Sequence, residues 1–245
     1  VIFGLKSAPD DRDFPYRSRR PGVLGLPPPR QIDRSGALPP VWDQGPEGSC
    51  TAQAGMAKLY ELYPGFVGSR LAAWWVARKF EGTLGQNVGV ETRTMLKVLQ
   101  AGVIPEEVWA YDLVHANDAP PPVSDRRFIG SYSRLRGAAA LIDHLAHDGS
   151  VIFSIDLPDS FMEDGTFPDT LERHDRWHEV LAVGYDLDLG DLLVRNSWGE
   201  AWGPMGNGHF WCPITWATDA MVGDDLWSAS AAPAGTVAGV LLEAA

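Results

Sequence analysis

The chain changes its apolar periodicity once, near the middle, and that change limits the folds open to it. Between Ser49 and Gly149 apolar residues recur at helical spacing; from Val151 onward they gather in short runs separated by turn residues. Cys50 opens a helical stretch that ends at Pro64-Gly65, with Ala54, Ala57, Leu59 and Leu62 facing inward. Ser69 is placed to cap a second helix, Arg70 to Phe80, stopped by Gly82. A third runs from Glu91 to Ala101, and a fourth is expected over Ser133 to His147. Val151–Ile155 then reads as a strand, Glu179–Tyr185 and Leu192–Arg195 as a hairpin, and Gly208–Trp211 and Leu226–Ser228 as further strands. Helices first and strands later predict an α+β chain with a helical lobe and a sheet lobe.

The expected division is an irregular, proline-bearing segment at 1–44 that wraps the surface, a mainly helical lobe at 45–120, a sheet-rich lobe at 121–228 and an Ala/Gly-rich tail at 229–245. A formal net charge of −12 argues against nucleic acid or an anionic membrane as the main partner. Two cysteines make no disulfide framework. No apolar run reaches the length of a membrane span. A reducing, cytoplasmic setting is the expectation, with a removed signal or pro-segment allowed for.

Three separated segments carry the chemistry. Asp43–Ala52 reads D-Q-G-P-E-G-S-C-T-A, His178–Tyr185 reads H-E-V-L-A-V-G-Y, and Arg195–Gly203 reads R-N-S-W-G-E-A-W-G. A cysteine in the first turn of a helix feels the positive end of the helix dipole, which favours thiolate. Cys50 is thus the candidate nucleophile, and His178 the base that would form an ion pair with it. Asn196, across the predicted hairpin, can accept from the imidazole N–H and fix its tautomer. Gln44 offers an N–H donor that, with the Cys50 backbone N–H, would make an oxyanion hole. Trp198 and Trp202 would keep water from the His178–Asn196 bond. Asp186–Asp191 is a turn and no calcium loop, and His144 with His147 lacks a third metal ligand, so neither metal nor cofactor is called for.

These residues resemble the papain family of cysteine peptidases, whose cysteine signature and distant His and Asn are a known pattern. The likeness rests on Gln44, Gly45, Gly48, Ser49, Cys50, Ala52, His178, the V-L-A-V-G-Y run, Asn196, Ser197, Trp198, Gly199, Trp202 and Gly203. It implies the two-lobe papain-like fold, helical lobe plus antiparallel barrel-like sheet lobe, with the active-site cleft between them. L-P-P-V ahead of the glutamine loop, G-S-C-T-A, and G-H-F-W-C-P-I-T-W-A-T-D near the end look like the non-secreted bacterial branch. By resemblance the catalytic set is Cys50, His178, Asn196 and Gln44, and Gly89, Trp177, Glu179 and Trp198 are the substrate-binding candidates.

Two departures stand out. Glu47 replaces a cysteine of the family pattern, and Glu179 replaces the small residue that usually follows the histidine and lines a substrate pocket; there it is expected to make the pocket acidic or narrow it. The expected activity is acyl-enzyme chemistry on a peptide, amide or thioester, ending in hydrolysis. Capture of the acyl group by an amine, in an amide-forming acyltransferase, is the alternative. A catalytically dead binding module is the third reading, disfavoured because a scaffold needs none of the four side chains.

Overall fold

The computed structural model describes residues 5–11, 13–17 and 27–233. The proline-bearing run through residues 21–26 and the tail from 234 onward lie outside the described residues. Helices α1 (Cys50–Leu62), α2 (Arg70–Glu81) and α3 (Thr92–Ala101) form the first lobe. Their ends follow the sequence signals closely. The Ser69 side chain accepts the Ala72 N–H at 3.1 Å, and Gly82 closes α2 in the left-handed conformation that glycine tolerates best.

The second lobe is built on an antiparallel sheet in the order β2-β7-β3-β4-β5-β6, with β1 (Gln31–Asp33) pairing the far end of β4. The strands are β2 (Ile129–Leu135), β3 (Val151–Asp156), β4 (Trp177–Asp186), β5 (Asp191–Arg195), β6 (His209–Pro213) and β7 (Asp225–Ala231). Helices α4 (Gly137–His147), α5 (Asp159–Asp164) and α6 (Ile214–Thr218) accompany them. Strand β4 is central, and the sheet is covered on both faces. Leu181 and Val183 join a core with Met56, Leu59, Trp74 and Leu96 of the helical lobe, whereas Val180 and Ala182 join a second core with Leu141, Phe161, Phe210 and Trp216. Burial on both faces is why the strand reads as a nearly continuous apolar run.

Two expectations change. Helix α4 begins at Gly137, because Ser133–Leu135 pair with Leu226–Ser228 as the end of β2. Strand pairing therefore outweighs the helical reading of Ser133–Arg136. Likewise β7 continues past Ser228 to Ala231, held by Ala229↔Tyr132 and Ser230↔Ser131, so the small residues there are sheet.

Register across three strands places polar groups in one row. Ser154 of β3 pairs with Glu179 of β4 on one side and Asp225 of β7 on the other. Because side chains alternate along a strand, those three point to the same face, and Trp177 shares it with Glu179.

Candidate active site

Helix α1 begins at Cys50, so the Cys50 backbone N–H is among the donors that no helical carbonyl can satisfy. The loop before it must be tight. A Cβ on Gly48 would lie 2.6 Å from the Val88 carbonyl carbon and 2.7 Å from the Gly89 nitrogen, so glycine lets the Val88-Gly89 backbone close against the loop before Cys50. The Gly48 N–H also donates to Asn87 Oδ1 at 2.9 Å. Gly89 therefore sits beside the cysteine loop.

Across from α1, the start of β4 carries His178. Asn196 Oδ1 accepts the Ser197 backbone N–H at 2.8 Å, which identifies it as the oxygen. It lies 2.7 Å from His178 Nε2, so that nitrogen must be the one bearing hydrogen. The Trp198 ring lies over the imidazole, centroids 4.9 Å apart, and Trp202 packs edge-on to Trp198 at 4.8 Å. Trp198 is thus a shield of the His178–Asn196 bond in this arrangement. The other imidazole nitrogen, Nδ1, is buried with no hydrogen-bond partner. Helix α1, which Cys50 opens, packs against β4, near whose start His178 stands.

Gln44 is fully buried, and its orientation is fixed from both ends. Ser197 Oγ donates to Gln44 Oε1 at 2.6 Å, and Gln44 Nε2 donates to the Glu47 carbonyl at 2.7 Å. A primary amide has two N–H bonds, so one donor remains. The Gln44 N–H donates to the Ser197 carbonyl at 2.8 Å, and Tyr111 donates its hydroxyl to the Gln44 carbonyl at 2.9 Å while lying 2.5 Å from Ser49 Oγ. Ser197 and Tyr111, which sequence reading left without a role, thereby tie the glutamine loop to the asparagine turn.

Burial opposes lone charges here. It pushes the Cys50 thiol up to about 11 despite the N–H groups of Glu179 and Thr51, and it pushes the His178 imidazole down to about 4 against the Asn196 bond. Each group alone would rest uncharged. A thiolate and an imidazolium formed together offset much of that penalty by mutual attraction.

Glu179 is the largest surprise. Its carboxyl is buried; Ser154 Oγ and Thr92 Oγ1 donate to Oε2 at 2.6 and 2.8 Å, and Oε1 has no partner. Burial, then the neighbouring Asp225, raises its pKa well above the ordinary carboxylate value. Glu179 therefore sits in a buried polar cluster that favours its neutral form and presents no open anionic pocket.

The hinge ahead of His178 is organised by Asp156, another residue that sequence reading did not single out. Its carboxylate accepts the N–H groups of His174, Asp175 and Arg176 at 2.7, 2.9 and 2.6 Å. A strand-end Asp followed by Pro158 carries no sequence mark of such a role, because its partners lie in a distant loop.

The N-terminal segment crosses this region. Leu5 bridges Glu91 in parallel, the Ser7 N–H donates to Asp225 Oδ2 at 2.7 Å, and Ser7 Oγ accepts the Arg93 N–H at 3.1 Å. Residues 5–7 thus touch both lobes.

Among known proteins, a model described as papain family cysteine protease matches residues 79–214, more than half the chain, a stretch that includes His178 and Asn196 and leaves Cys50 outside. An uncharacterised peptidase C1-like protein of Acanthamoeba polyphaga mimivirus is 28% identical over 220 residues, 76% of this chain and 68% of that one. Cysteine proteinase B of Leishmania mexicana is 26% identical over 219 residues; the match spans 78% of this chain but only 46% of the relative. Among solved structures, xylellain, a cysteine protease from Xylella fastidiosa, superposes with a TM-score of 0.82 at 27% identity, covering 95% of this chain and 96% of that one. Digestive procathepsin L 3 of Tenebrio molitor larval midgut, at 22% identity and a TM-score of 0.70, covers 89% of this chain and 73% of its own; it shares the fold. No described helix is long and apolar enough to cross a membrane.

Proposed function

The chain belongs to the papain family of cysteine proteases, and we propose that it hydrolyses peptide bonds through an acyl-enzyme on Cys50. Its fold is the papain-like α+β fold, a helical lobe against an antiparallel sheet lobe. The observation that carries the reading is the state of His178. One ring nitrogen is spent on Asn196, the other is buried and unpartnered, and the helix that Cys50 opens packs against the strand that carries the ring.

In this reading His178 Nδ1, which holds the lone pair, takes the proton of the Cys50 thiol. The thiolate attacks the scissile carbonyl carbon. The oxyanion that forms accepts from the Cys50 backbone N–H and the remaining Gln44 Nε2 hydrogen, donors already fixed before substrate arrives. The imidazolium returns its proton to the leaving amine, and the C–N bond breaks. Water, deprotonated by the same nitrogen, attacks the thioester and releases the acid and the thiol. Asn196 holds the ring in the tautomer this cycle needs.

Transfer to an amine in place of water would draw on the unusual residue Glu179 beside the histidine. Glu179 is turned into a buried cluster and so presents no second-substrate site. The test is hydrolysis of quenched fluorescent peptides with parallel labelling by a peptidyl epoxide. Cleavage that disappears in Cys50→Ala, with label on Cys50 of the parent chain, is expected. Cleavage that survives the substitution would refute the assignment.

A further inference from the structure

The peptide group that orients Gln44 is itself held from outside its loop. The Glu47 carbonyl, which accepts one Gln44 Nε2 hydrogen at 2.7 Å, and the Gly48 N–H, which donates to Asn87 Oδ1 at 2.9 Å, are the two ends of a single peptide unit. A peptide unit is planar and resists twisting, and its C=O and N–H point in opposite directions. Asn87 therefore fixes the plane in which the Glu47 carbonyl meets the Gln44 amide. Three amide groups in file, those of Gln44, Glu47-Gly48 and Asn87, also polarise one another, each bond strengthening the next.

No covalent link holds this loop. Glu47 stands where the family pattern has a cysteine, and Cys50 and Cys212 are both free thiols. Asn87 lies 39 residues beyond Gly48 in the chain, and its neighbours are fastened to α2. The buried Arg78 guanidinium donates to the Gln86 carbonyl at 2.8 Å, and the buried Trp74 indole N–H donates to the Val88 carbonyl at 3.1 Å. Arg78 also stacks on Trp74, 3.5 Å from the guanidinium carbon to the ring centroid. The Asn87 side chain is thus presented from a braced loop, while Asn87 itself is exposed. Its Nδ2 lies 3.5 Å from the Pro46 carbonyl, so the side chain spans both flanks of Glu47.

Resting on the peptidase reading, we infer that Asn87 is a positioning residue for the oxyanion donor: by holding the Glu47-Gly48 peptide, it aims the free Gln44 Nε2 hydrogen at the carbonyl oxygen that becomes charged. Ser197 already holds Gln44 Oε1, so fixing one N–H settles the amide plane and with it the direction of the other. In this role Asn87 acts through Gln44 alone.

The experiment measures kcat and KM on a quenched fluorescent peptide for the full chain and for Asn87→Ala, Asn87→Asp and Asn87→Leu, each also in a Gln44→Ala background. Asn87→Ala is expected to lower kcat roughly tenfold with KM unchanged, because a misaimed donor is felt only once the oxyanion forms. Asn87→Asp, which keeps an oxygen for the Gly48 N–H, should recover most of that loss, and Asn87→Leu, which keeps only bulk, should not. With Gln44→Ala in place the Asn87 substitutions should change nothing further, since the donor they aim is gone. A loop merely loosened would lower kcat in both backgrounds. Full kcat in Asn87→Ala, a loss carried by KM, or an equal loss with and without Gln44 overturns the inference and leaves the peptidase standing. Absence of Cys50-dependent cleavage by the parent chain removes the peptidase reading, and the positioning role with it.

Discussion

Cys50 and His178 are buried among groups that disfavour either charge alone, which makes their mutual dependence measurable. Wild-type Cys50 should alkylate with iodoacetamide at pH 5–6, because the imidazolium supplies the compensating charge. In His178→Ala that charge is gone and burial alone holds the thiol above its ordinary value, so labelling should require strongly alkaline pH. Superimposable pH–rate curves for the two proteins would dissolve the pair. Gln44→Ala should lower kcat by roughly 10²–10³ with little change in KM, since the donor serves a charge that exists only in the transition state. Glu179 makes a different prediction. Its folded pKa is raised above 4.5, so its contribution to stability is full below that value and is lost as pH rises through the folded value. Glu179→Gln removes this loss; its melting temperature should match wild type near pH 4 and exceed it increasingly toward pH 8. A melting-temperature difference that shrinks with rising pH would contradict the buried-acid assignment.

At the scale of elements, the site depends on how two chain turns are pinned. The turn before α1 was legible: Gly48, Ser49 and Cys50 announce a tight loop and a helix start, and the helix begins at Cys50. The turn before His178 was not, because Asp156 acts on residues 174–176 through contacts that no local pattern encodes. Asp156→Ala strands three N–H groups and should cost about 2–4 kcal/mol of stability. The accompanying drop in kcat should exceed any change in KM, because the loop sets where His178 begins. Chemical denaturation and steady-state kinetics on one preparation check both. Ser133–Leu135 show the same limit from another side: their partners on β7 are about ninety residues away in the chain, and only that pairing makes them strand.

Across the whole molecule, the N-terminal segment fastens one lobe to the other. Asp13 pairs with Arg93 of α3 at 2.8 Å and with the buried Arg134 of β2 at 3.3 Å, and Arg134 also pairs with Asp225 of β7 at 3.3 Å. Removing the shared acid leaves buried guanidinium undercompensated, so Asp13→Ala should cost about 3 kcal/mol. Arg134 retains Asp225, so the sheet should survive; hydrogen exchange should rise in residues 5–11 and at the start of α3 while β3 and β4 stay protected. Uniform loss of protection would show that the fastening is not local. The sequence by itself determined the α+β class, the ends of α1 to α3, and the candidacy of Cys50, His178, Asn196 and Gln44, because caps, periodicity and residue chemistry are local properties of the chain. Only the tertiary structure decided that Glu179 turns inward beside Asp225, that Ser197 and Tyr111 orient Gln44, and that Asn87 meets the Gly48 N–H. Those facts depend on strand register and on segments far apart in the chain meeting in a low-dielectric interior, where a neighbour changes what a side chain can be.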